Sequence, residues 1–181
     1  MDFKWYEVVN GENITQGDII LDCPVFKPYE IYKASDGKNA VNGDIEIIDA
    51  IVMTQACDIA NGAVEDIILC SLLDVVEGDI GRDNLSEIKK GAQPKYHIIS
   101  NANIDGCKMG YKVVDFMNIY SLSIEALKKV AAYNKNRLRL LPPYREHLSQ
   151  AFARYFMRVG LPSDIDIKDI LKEKREAKGG L

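Results

Sequence analysis

The chain has 181 residues, 47% hydrophobic and 28% charged, with 23 Lys and Arg against 27 Asp and Glu and a net charge of −4. This length and apolar content fit one folded domain with a real core and exclude a wholly disordered chain. Net acidity excludes a general attraction to nucleic acid or anionic membrane, so any polyanion site has to be a local patch.

The opening MDFKWYEVVN shows no basic-then-apolar leader pattern. The longest apolar runs, such as Ala50 to Met53 and Ile67 to Cys70, fall far short of the ~20 residues of a membrane span. Trp5 to Val9 reads as a short strand or edge segment. Gly17 to Leu21 (GDIIL) reads as a strand ended by Pro24, which lacks a ladder donor. Residues 27–43, with Pro28, Gly37, Asn39, Asn42 and Gly43, carry turn chemistry and read as a loop or loose hairpin.

Ile45 to Thr54 and Glu65 to Leu73 are short, β-branched, mostly apolar runs, the pattern of strands buried on both faces. Their compact link predicts a hairpin. Residues 77–94 read as a surface excursion with a helical turn at Leu85 to Lys90. Tyr96 to Ser100 and Tyr111 to Phe116 read as two more strands. Ser121 or Ser123 is placed to cap a helix through Tyr133, with Ile124, Leu127, Val130 and Ala131 on one face.

A second helix spans Tyr144 to Val159, after Pro142-Pro143 and before Gly160, Leu161 and Pro162. Leu148, Phe152, Tyr155, Phe156 and Val159 form its apolar stripe, and His147, Ala151, Arg154 and Arg158 another. Strands first and helices last point to an α+β fold. Residues 1–162 are expected to form a single domain, and residues 163–181 a charged helix with a frayed tail.

Chemistry concentrates in two places. TQACD, Thr54 to Asp58, packs polar side chains where a buried strand meets a loop. Cys57 is a nucleophile there if a histidine (His97 and His147 are the two present) or a helix start lowers its pKa, and otherwise a small apolar filler with Asp58 as a turn residue. Cys23, Cys57, Cys70 and Cys107 have no CxxC spacing, so reduced thiols in a cytoplasm are expected. Neither they nor Asp58 and His97 have zinc-ligand spacing, and no metal or cofactor is expected. The arginines Arg137, Arg139, Arg145, Arg154 and Arg158 fall close together, and their planar forks suit phosphate or carboxylate. They serve equally as clamps to Asp and Glu on the sheet. Arg145 needs a partner, for which Asp58 and Asp115 are expected.

GDIIL at Gly17 to Leu21, IVMTQACDIAN at Ile51 to Asn61, EDIILCSLLD at Glu65 to Asp74, and GYKVVDFMNIYSLSIEAL followed by Arg137-Leu138 occur in an order that resembles the PemK/MazF-type toxins. That resemblance implies a small SH3-like β-barrel with added helices, and an endoribonuclease using an Arg before the second strand and a Ser or Thr after the third. Ser71 stands at the latter place. Ile48-Asp49-Ala50 stand where the Arg belongs, and Pro143 to Pro162 lies outside the pattern.

The combined reading is an SH3-like barrel or strongly bent antiparallel sheet with C-terminal helices packed on it. It belongs to a bacterial or phage-type accessory or regulatory protein. Thr54, Gln55, Arg145, Arg154 and Arg158 are expected to hold nucleic acid, RNA above all, or another phosphate-bearing ligand. The alternatives are a toxin-like ribonuclease, with catalytic candidates Cys57, Asp58, Ser71, His97 and His147, and an interaction subunit presenting Trp5, Tyr6 and Tyr144. A homodimer fits any of these; a membrane does not.

Overall fold

The computed structural model describes residues 3–75 and 82–157, with the side chains of Arg82 and Asp83 left out. Nine strands and four helices follow one another in these residues: β1 (Tyr6–Val9), β2 (Ile19–Lys33), β3 (Asn39–Val52), α1 (Ala56–Ala60), β4 (Asp66–Asp74), α2 (Arg82–Lys89), β5 (Tyr96–Ile99), β6 (Ala102–Ile104), β7 (Cys107–Met109), β8 (Lys112–Ser123), α3 (Ile124–Tyr133), β9 (Arg137–Leu140) and α4 (Tyr144–Phe156). The fold is α+β. One five-stranded sheet runs in the order β2-β3-β4-β8-β5, and every pair in it is antiparallel. Two ribbons, β1-β9 and β6-β7, complete the strand pairing. No sheet among the described residues closes into a barrel. No helix among them is long and apolar enough to cross a membrane.

Both faces of the large sheet are covered near its centre. Because side chains alternate along a strand, Ile51, Cys70, Leu72, Val114 and Phe116 face one way, into a core closed by Tyr6, Leu138, Leu140 and Leu148. Ile20, Ala50, Val52, Ile67 and Leu69 face the other way and meet Leu127 and Ala131 of α3. Burial pushes the thiols of Cys23 and Cys70, one in each core, up to about 11 and about 12, so both are inert apolar fillers.

β2 does not end at Pro24. It is an edge strand, where a missing donor is tolerated, and it runs on to Lys33 past register shifts at Ile20/Cys23 and Pro28/Glu30. The supposed loop at 27–43 is the far half of a long β2-β3 hairpin, closed by a turn in which the Ala34 and Gly37 amides bond the Lys38 and Ala34 carbonyls. β3 pairs with β4 only at Ala50, Ile51 and Val52. The hairpin therefore projects past the sheet, which leaves Ile45 and Ile47 61–63% exposed rather than buried on both faces.

The β3-β4 hairpin forms as expected, with α1 set into its connection. Ser123 caps α3, its hydroxyl accepting from the Ala126 amide at 3.3 Å. The link at 101–110 is the β6-β7 hairpin, and β9 has no counterpart in the expected elements. α4 is described as far as Phe156, which is exposed rather than on the buried stripe. Val159, Gly160, Leu161 and the charged helix of 163–181 lie outside the described residues.

β1 and β9 are sewn to the sheet at Asp18. Gly17 has φ +85°, and a Cβ there would sit 3.1 Å from the Leu140 carbonyl oxygen, so this crossing needs glycine. The fully buried Asp18 carboxylate accepts from Arg139 Nε at 2.5 Å and from Arg139 and Arg137 Nη2 at 3.1 and 3.4 Å. Arg137, itself 2% exposed, donates also to the carbonyls of Gly11, Asn13 and Ala131. Two of the clustered arginines are thus clamps.

Candidate functional site

The TQACD segment is a turn into α1. Thr54 is buried and its hydroxyl accepts from the Ile68 amide at 2.7 Å, which ties the end of β3 to β4. Gln55 is exposed. Cys57 is exposed with Sγ 3.5 Å from Asp58 Oδ1, and no histidine contacts it. Among the described residues no three His, Cys, Asp or Glu side chains come together to hold a metal ion.

Besides its apolar packing, α4 is tied to this end of the sheet through the buried Gln16 side chain. Gln16 Nε2 donates to the Met53 carbonyl at 3.2 Å and to Ser149 Oγ at 2.9 Å, while Ser149 donates to the Arg145 carbonyl one turn back. At the helix start Tyr144 stacks on Trp5, with ring centroids 3.5 Å apart and planes 8° apart. Tyr6 is 2% exposed, donates to the Ser100 carbonyl at 2.6 Å, and has its phenol pushed up by burial. The expected exposed aromatic patch of Trp5, Tyr6 and Tyr144 is therefore corrected: these rings pack on one another and on the core. Arg145 pairs with neither Asp58 nor Asp115. Its guanidinium donates to Glu146 at 2.8 and 3.2 Å, and Asp115 accepts from the Met117 amide and Asn118 instead.

The outer face of α4 forms one wall of a cleft of about 460 Å³. His147, Gln150, Ala151 and Arg154 face the segment from Ile88 to Ile98 across it, including Lys89, Lys90, Tyr96 and His97. A volume of this size is that of a small-molecule or nucleotide site. Pro94 also lines an adjoining hollow with Lys95 and Tyr155. The helix spacing explains the wall: positions 147, 150, 151 and 154 recur at i, i+3, i+4 and i+7, one face of a turn of 3.6 residues.

Electrostatically the cleft runs against the net acidity of the chain, for among the described residues no carboxylate lines it. Burial, then the charges of His147 and Arg154, push the His97 imidazole down to about 4. It is neutral at physiological pH. The His97 ring lies nearly parallel to that of Phe116, with centroids 6.5 Å apart. Arg154 spends Nε on the Gln150 carbonyl, a long 3.4 Å contact, and its two Nη groups have no carboxylate partner among the described residues. Lys90 is 3.1 Å from Glu87, an exposed pair that contributes little.

The structure thus brings together His97, His147 and Arg154 of the expected site residues. Thr54, Gln55, Cys57, Asp58 and Arg145 do not line this cleft. Ser71 is buried in β4 opposite Ala50 and Asp115, and Arg158 lies outside the described residues. Lys89, Lys90 and Tyr96 were not anticipated. A Lys-Lys-Gly run before a strand was a signal, but one that any solvated loop also gives. No protein-family model matches the chain, and neither a curated protein nor a solved structure is similar to it.

Proposed function

We propose that this protein is a bacterial or phage-type accessory or regulatory module that binds nucleic acid or another phosphate-bearing ligand in the cleft between α4 and the segment leading into β5. The observation that carries this reading is Arg154: among the described residues its guanidinium has no carboxylate partner, and it stands beside two imidazoles and two lysines in a cleft that no described acid lines. An anion entering there replaces hydration that those cations hold, and Arg154 can engage two of its oxygens at once. Tyr96 offers a ring face beside them. Four free thiols suit a reducing cytoplasm.

A toxin-like endoribonuclease is the second reading. It is favoured by the meeting of the chain's two histidines, 50 positions apart, at one cleft. Neutral His97 is suited to take a proton. Kinship with the SH3-like toxin barrels stays part of the proposal, supported by the β2-β3-β4 meander and its register shifts.

One titration separates these readings. A labelled single-stranded RNA is followed by anisotropy and then run on a denaturing gel. Binding is expected to weaken by roughly 10-fold in Arg154→Ala and to fall steeply with salt. A cleaved strand that stays intact with His97→Ala supports the enzyme. No RNA or inorganic phosphate binding at low salt, or binding indifferent to Arg154→Ala, overturns the site.

A further inference from the structure

The projecting half of the β2-β3 hairpin has two unlike faces. Residues directly opposite in the ladder share a face, and the extra residue between Pro28 and Glu30 keeps the pattern in step. On one face Lys27 bonds Glu46 at 2.9 Å and Asn42 bonds Glu30 at 2.8 Å. The other face carries Phe26 opposite Ile45, Ile47, and Ile31 opposite Val41. These five side chains are 48–76% exposed. A two-stranded ribbon is marginal in water by itself, and one with a continuous bare apolar face is a contact surface.

Charge identifies the occupant. At the base of the apolar face Lys112 Nζ is held by Asp49 and Asp74 at 2.8 and 2.7 Å, two carboxylates to one ammonium. At its tip, on the same face, stands Lys33 opposite Asn39, exposed and without a partner among the described residues. Acidic base and basic tip, with apolar pairs between, are self-complementary about a two-fold axis. Phe26-Ile45 lies near the midpoint between Asn39 and Asp49, so an antiparallel copy brings its Lys33 over Asp49 and Asp74. An anionic lipid surface is disfavoured by the acidic base.

We propose that the chain forms a homodimer by packing the apolar faces of two β2-β3 hairpins against each other, tip to base, as a small two-layer sandwich with sheets ~10 Å apart. Each ribbon face is about 10 Å wide and about 25–30 Å long, so the two faces together cover roughly 500–600 Å², below the ~1,000 Å² of a standard specific interface and in the range of a weak, transient contact. A weak, concentration-dependent dimer follows, independent of the cleft on α4.

Sedimentation velocity of the full chain from about 10 µM to about 1 mM tests this. The mass is expected to rise to that of a dimer over this range. Ile45→Asp, at a position 63% exposed, is expected to remain monomeric with an unchanged far-ultraviolet spectrum, and Phe26→Ser to behave alike. Lys33→Glu is expected to weaken the dimer roughly 10-fold at low salt, and Lys33→Arg to leave it intact. A monomer throughout, a dimer indifferent to both hairpin substitutions, or a monomer that binds phosphatidylserine vesicles through this face overturns the proposal.

Discussion

Asp18 is the most committed single residue in the molecule. Its carboxylate is wholly buried and answers two guanidiniums and the Thr15 amide, which together fix where the segment leading into β2 meets β9. Buried ion pairs repay their dehydration only when every partner is present. Arg137 Nε, buried with no acceptor, shows that even this network leaves a group unmet. Asp18→Ala strands two arginines in a dry site and is expected to cost about 3–5 kcal/mol, read as a lowered urea midpoint. Arg139→Lys is expected to cost less but not nothing, because an ammonium reproduces neither the Nε contact nor the fork. The sequence announced these arginines only as a cluster. Whether a guanidinium meets a carboxylate 119 positions away or a phosphate from outside depends on tertiary approach, which no local pattern records.

At the scale of elements, legibility followed locality. α3 was readable because its cap and its face both lie within ten residues: Ser123 bonds the Ala126 amide, and Leu127 and Ala131 point inward. Ser123→Ala is expected to remove about 1 kcal/mol from thermal or urea stability without altering the native spectrum. The far half of the β2-β3 hairpin was not readable as strand. Its Pro, Gly and Asn residues favour turns, yet an edge strand tolerates Pro24 and Pro28. Gly43 is where the partner ring lies: a Cβ there would come within 2.4 Å of Phe26 Cζ. Cross-strand packing overrode propensity. β9 escaped notice for another reason. RLRL is four residues long and its strand character exists only through pairing with β1 and the crossing at Gly17.

The whole molecule combines a net charge of −4 with one cleft lined by cations and imidazoles. Cost accrues there on acidification. His97 titrates near 4 when folded and near ~6.5 when unfolded, so the unfolded chain takes up a proton that the folded one refuses. The penalty is absent above about pH 6.5 and complete by about pH 4. Stability is therefore expected to fall across that window by on the order of 2 kcal/mol more in the parent chain than in His97→Gln, measured by urea unfolding at each pH. A bound phosphate reverses the sign of the neighbouring field and is expected to raise the His97 titration toward neutrality. The sequence supplied the two histidines and Arg154, but it set the arginine helix beside TQACD and gave His97 no place. Their true neighbours come from the segment before β5, whose arrival next to α4 is set by the β5-β8 pairing.

The join between β1 and β9 also bears on how the polypeptide matures. Arg137 reaches back 126 residues to the Gly11 carbonyl. At a translation rate of about 5–20 residues per second, the N-terminal segment waits roughly 6–25 s for the partner strand to be synthesised. During that interval Tyr6 lacks its ladder partner Leu140, and the Asp18 carboxylate stays hydrated. The β2-β3 and β3-β4 hairpins can pair meanwhile from neighbouring sequence. The nascent chain thus assembles from the middle outward, and its earliest-made segment is among the last to lock.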